Sequence, residues 1–106
     1  MVKKRIPPKV KKQISVYLSD LKKDQLPISR AVLFGSYAKG NHHLWSDIDL
    51  CIVSPNFKDS WSGLQYLWQK RRRGLAIEPV GYTPKDFREG SALISEIKKY
   101  GVEIKI

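Results

Sequence analysis

Two aspartates two residues apart, Asp47 and Asp49, stand at the start of an apolar run, Ile48 to Val53, and nothing else restricts the fold as much. The run is short, β-branched in character and closed by Ser54-Pro55, which predicts a buried strand. Residues i and i+2 of a strand face the same side, with Cα atoms roughly 6.6 Å apart at about 3.3 Å of rise per residue. Two carboxylates are therefore aimed together. Like charges at the edge of an apolar strand repel and lose hydration unless something positive sits between them. A divalent cation removes that conflict. The alternative is a Ser46-Asp47 turn with both carboxylates solvated, which explains Asp47 but not Asp49 inside the run.

An earlier apolar run, Ala31 to Phe34, stops at Gly35-Ser36. Gly35 lets the backbone approach a ligand with no Cβ in the way. Ser36 offers a hydroxyl and opens a short helix through Ala38 and Lys39, whose first amides suit phosphate oxygens. Gly-Ser after a strand is by itself an ordinary turn. Followed by ten residues and then Asp-x-Asp in a strand, it signals a phosphate site beside the carboxylates. Lys39 either adds charge there or is solvated.

With 106 residues, the chain is expected to be one domain, 1–106, with room for a single sheet and a few helices and none for a separate substrate domain. Its 20 Lys and Arg against 10 acids give a net charge of +10, which favours anionic partners: a nucleoside triphosphate, RNA or an acidic protein face. Cys51 is the one cysteine, so no internal disulfide forms, and its place in the strand suits a small core residue. The basic opening MVKKRIPPKVKK has no apolar stretch behind it. Neither secretion nor membrane spanning is indicated, and a cytoplasmic protein is expected.

Pro7-Pro8 opens a helix whose inner face is Val10, Ile14, Tyr17, Leu18 and Leu21, with Lys9, Lys11, Lys12 and Lys22 on the solvated side. His42 and His43 are adjacent, a spacing that does not converge on one metal, and read as solvated loop residues. Trp45 either stacks on a base or covers the sheet edge. A second helix presents Trp61, Leu64, Leu67 and Trp68 on one face and ends in Lys70 to Arg73, with Gly74 as a left-handed cap. Leu75 to Tyr82 is a third strand, and Pro79 assigns it to an edge or a bulge. Thr83-Pro84 starts a helix, and Glu89-Gly90-Ser91 breaks it. The next helix turns Leu93, Ile97 and Tyr100 inward with Gly101 as its cap. Val102, Ile104 and Ile106 then alternate as a half-exposed strand.

Gly35-Ser36, the spacer and Ser46-Asp47-Ile48-Asp49-Leu50 resemble the signature of the DNA polymerase β-like nucleotidyltransferase superfamily. The wording GSYAKG with SDIDL, in so short a chain, resembles the minimal nucleotidyltransferases that accompany HEPN-domain proteins in prokaryotic toxin–antitoxin pairs. The expected fold is α/β, a mixed, twisted sheet of about four strands with helices packed against it. The resemblance implies transfer of AMP from ATP to a hydroxyl, with two Mg²⁺ ions on Asp47, Asp49 and a third carboxylate on a neighbouring strand, whose position Glu78 matches. Gly35 and Ser36 would hold the outer phosphates. It further implies a HEPN-domain toxin as partner, modified on a tyrosine by this chain as its antitoxin, with weak or no RNA binding. Two other classes stay open: a binding module that docks on its partner without catalysis, and an RNA-binding adaptor using the basic helix.

Overall fold

Pro7 caps and Pro8 begins the first helix, α1 (Pro8–Lys23), because neither position needs an N–H for an intrahelical bond. In this computed structural model, which describes residues 6–42 and 46–106, the five apolar residues expected on its inner face are all buried. The next elements are β1 (Arg30–Phe34), the single turn α2 (Ser36–Lys39), β2 (Ile48–Val53) and α3 (Ser60–Gln69). They are followed by β3 (Ile77–Tyr82), α4 (Pro84–Glu89), α5 (Ala92–Tyr100) and β4 (Val102–Glu103).

The strands form one mixed sheet in the order β3-β2-β1-β4, with β1 antiparallel to both β2 and β4, and β2 parallel to β3. Strand alternation divides the side chains between two helical layers. Ala31 and Leu33 of β1, Ile48, Leu50 and Ile52 of β2 and Ile77 of β3 pack with α1 and α3. Val32, Phe34, Cys51 and Val53 face the other way, against Phe87 of α4 and Ile94 and Ile97 of α5. Asp49 and Glu78 belong by register to this second face.

α1 is tied to α3 by the buried Tyr17 hydroxyl, which donates to Leu67 O at 2.6 Å. Burial lifts that phenol above the usual tyrosine range and pushes the Cys51 thiol up to about 12, so both stay neutral. Thr83 and Ser91 cap α4 and α5 by accepting from the amides of Asp86 and Ile94.

Several local expectations are corrected. The inner face of α3 is Gly63 and Leu67, while Trp61 and Trp68 are exposed. Gly63 and Gly81 bring α3 so close to β3 that a Cβ on Gly81 would stand 3.1 Å from the Gly63 carbonyl carbon. The helix ends at Lys70, and Gly74 takes its positive φ of 88° in the turn that follows, where Leu75 N–H meets Arg72 O. On α5 the buried residues are Ile94 and Ile97, with Leu93 and Tyr100 outside. The C-terminal strand is regular only over Val102–Glu103. His42 is not solvated: its ring stacks on Tyr37 with centroids 4.4 Å apart. His43 and Trp45 lie outside the described residues. No helix among the described residues is long and apolar enough to cross a membrane.

Candidate active site

One end of the sheet gathers the residues singled out in the sequence. β1 ends at Phe34, which is the register partner of Asp49 near the start of β2. β3 runs parallel to β2, and its Glu78 is the register partner of Asp49 on the other side. Asp47 lies just before β2 and is exposed, Asp49 is half-buried, and Glu78 is exposed. Pro79 sits on the edge strand, as its missing N–H requires.

Gly35 has φ 74° and ψ −151°, a backbone region that essentially only glycine occupies. A Cβ at this position would overlap the Asp49 carboxylate. The glycine is thus required by the aspartate as well as by the turn. It caps α2, at whose start Ser36 lies with the amides that have no intrahelical acceptor. These amides and the carboxylates occupy the same end of the sheet.

The charge balance is strongly negative. The Asp49 carboxyl is pushed up to about 6, first by burial and then by the charges of Glu78, Asp47 and Glu96. Glu96 was not singled out in the sequence. It lies on α5 between the buried Ile94 and Ile97, and its importance exists only once α5 is laid across the same sheet face. Its carboxylate accepts from Lys39 Nζ at 2.6 Å, and this holds the ammonium above the usual lysine range. The Lys39 ammonium also lies 5.2 Å from the Tyr100 ring centre. Lys39 is therefore an exposed residue paired with Glu96 of α5, one of the acids that act on Asp49.

An all-oxygen donor set of this kind suits a hard cation such as Mg²⁺. Asp49 is destabilised as an anion where it stands, and a cation would relieve it. Among the described residues no three acidic, His or Cys side chains already close around one point, so the exposed Asp47 and Glu78 would have to turn inward to complete such a site.

Lys70, Arg71 and Arg72 of the basic run serve the fold. Arg72 pairs with Asp20 of α1, and Lys70 with Asp24, which caps that helix. Arg71 donates to Ile77 O at 3.2 Å, beside Glu78.

A family model described as the nucleotidyltransferase domain matches residues 11–105. A Methanocaldococcus jannaschii protein described as a putative protein adenylyltransferase is 31% identical over 98 residues, covering 89% of this chain and 90% of that protein. A solved structure described as a putative nucleotidyltransferase from Sulfolobus solfataricus aligns with a TM-score of 0.66 at 17% identity, over 90% of this chain and 78% of that one. A toxin–antitoxin structure with AMP-PNP aligns with a TM-score of 0.52 at 24% identity, over 83% of this chain and 69% of that one. At these identities the two structures show a shared fold. The family match runs from within α1 through β4 and takes in every residue of the carboxylate cluster, so the chain belongs to the nucleotidyltransferase domain family as a nucleotidyltransferase enzyme.

Proposed function

We propose that the chain transfers AMP from ATP to a tyrosine hydroxyl of a partner HEPN-domain toxin and thereby acts as its antitoxin. The observation that carries this reading is the register of Asp49 with Glu78 beside a glycine whose missing Cβ makes room for the Asp49 carboxylate. The M. jannaschii relative, described as a putative protein adenylyltransferase, and the toxin–antitoxin neighbour with AMP-PNP support the choice of nucleotide and of a protein acceptor.

In the proposed reaction the acceptor oxygen attacks the α-phosphorus. A new P–O bond forms, the bond to the β-phosphate breaks, and pyrophosphate leaves. Glu78 orients the acceptor hydroxyl and takes its proton, while Gly35 and Ser36 hold the outer phosphates. Lys39, at the end of α2, would add charge beside them if it left Glu96. Two Mg²⁺ ions held by Asp47, Asp49 and Glu78 would supply positive charge to the attacking and leaving oxygens. In this reading the partner brings in the acceptor, in the cytoplasm where ATP is available. Docking then makes the step effectively intramolecular.

Incubating the chain with its toxin, ATP and Mg²⁺ should add the mass of one AMP to the toxin, and Asp47→Ala or Asp49→Ala should abolish that addition. The exposed, unconverged positions of Asp47 and Glu78 favour a second reading, a docking module without catalysis. That reading wins if the Asp47→Ala/Asp49→Ala protein neutralises the toxin as well as wild type with no mass added in either case. RNA binding through Lys9, Lys11 and Lys12 is expected to be weak, indifferent to sequence and lost steeply with salt.

A further inference from the structure

The two edges of the sheet are finished differently. On β3, Pro79 brings no N–H, the Trp68 indole N–H donates to Pro79 O at 3.1 Å, and Arg71 donates to Ile77 O at 3.2 Å. The Arg71 guanidinium also lies 4.5 Å from the Trp68 ring centre, so the two side chains form one cover. Such devices stop an edge strand from pairing with another chain. β4 has no comparable cover among the described residues. It pairs only with β1, and Ile104 N–H donates to Ala31 O at 2.8 Å. By the alternation of an antiparallel ladder, the N–H and C=O of Glu103 then point away from β1.

Beside this open edge, α1 and the segment from Glu103 to Lys105 enclose a groove of about 530 Å³. Ile6, Ile14, Leu18 and Ile104 supply its apolar surface, and Lys11, Lys22 and Lys105 stand around it. All three lysines are exposed, and among the described residues none has a carboxylate partner. The one acid in the groove, Glu103, is taken by Arg30. An occupant must therefore be partly apolar, negatively charged and able to pair with a strand edge.

We propose that this edge receives an extended acidic segment of a partner protein, added as a strand beside β4. Its alternate side chains enter the groove over Ile14, Leu18 and Ile104, and its carboxylates meet Lys11, Lys22 and Lys105. A second copy of this chain would set the same lysines against one another. Single-stranded RNA has no backbone ladder to offer the edge, and among the described residues the groove has no aromatic platform for its bases. The proposal concerns docking and does not rest on the transfer chemistry.

The probe is a fluorescein-labelled peptide of alternating valine and glutamate, compared with a valine–lysine peptide and with an acidic peptide N-methylated on alternate backbone amides. The acidic peptide should bind saturably, with amide shifts confined to α1 and residues 103–106, while the other two do not bind. Lys11→Glu/Lys22→Glu/Lys105→Glu should weaken binding at least tenfold. So should Glu103→Pro, which removes an outward N–H and the pair with Arg30 but no ladder bond, since a freed Arg30 would by charge alone strengthen acidic binding; thermal melts check that both variants fold. The N-methylated peptide makes the same test on the wild-type protein. Equal binding of that peptide, or no binding of the acidic one, overturns the proposal. Tighter binding of a uridine oligonucleotide at this surface overturns it in favour of nucleic acid. Self-association lost in Glu103→Pro overturns it in favour of a second copy.

Discussion

Asp49 and Glu78 are register partners on adjacent parallel strands, though the whole of α3 separates them in sequence. Glu78→Gln keeps the shape and removes the charge and the proton acceptor. Transfer by this variant should fall on the order of 10²–10⁴-fold, the usual contribution of a positioned base, with ATP affinity little changed. Single-turnover rates and an ATP titration separate the two effects. Full transfer activity would leave the reaction standing and remove only Glu78 from it.

Gly35→Ala forces a Cβ into a conformation that costs other residues roughly 1–3 kcal/mol and sets it against the Asp49 carboxylate. The melting temperature should drop, and transfer should fall at least about 100-fold, because a displacement near 1 Å is enough for that loss. A destabilised protein with wild-type activity per folded molecule would show that the position of Asp49 does not matter.

Asp49 titrates near 6 in the folded chain against an ordinary value of 3.8, so the native state binds the extra proton between those values. The sign follows: its contribution to the metal-free protein becomes more favourable as pH falls from about 6 towards 4, and is unfavourable above 6. Asp20, Asp24 and Asp59 are held low by bonds from Arg72, Tyr66 and the Ser62 amide, and act oppositely, below about pH 4. Thermal melts without metal from pH 7.5 to 4.5 should show the gain. Asp49→Asn should flatten it and raise the melting temperature at pH 7.

Tyr17→Phe removes the donor to Leu67 O and strands a buried carbonyl, at a cost of roughly 1–3 kcal/mol. Denaturant unfolding should register that loss, with activity per folded molecule unchanged.

The carboxylates, the glycine turn and the strands that hold them were legible because each depends on a local conflict: acids in an apolar run, or a proline in a strand. α1 was legible along its whole inner face because sixteen residues sample the helical period several times. The shorter helices were not. For α3, Gly63 on the helix and Gly81 on β3 decide which side approaches the strand, so the tryptophans that dominate the apolar pattern lie outside. In α5, Leu93 and Ile94 are both apolar, and the sheet selects Ile94. Glu96 was invisible for the same reason, since a glutamate on a nine-residue helix acquires meaning only from what the helix crosses.

The parallel pairing of β2 and β3 also orders events during synthesis. β1 and β2 pair antiparallel and carry Gly35, Asp47 and Asp49 between them, all within the first half of the chain. Glu78 joins them only after α3 has carried the chain back across the sheet, and such distant pairings are the slow ones. A nascent chain still held on the ribosome before β3 emerges therefore has Gly35, Asp47 and Asp49 but not Glu78. In the proposed reaction, transfer to the acceptor therefore awaits the emergence and pairing of β3.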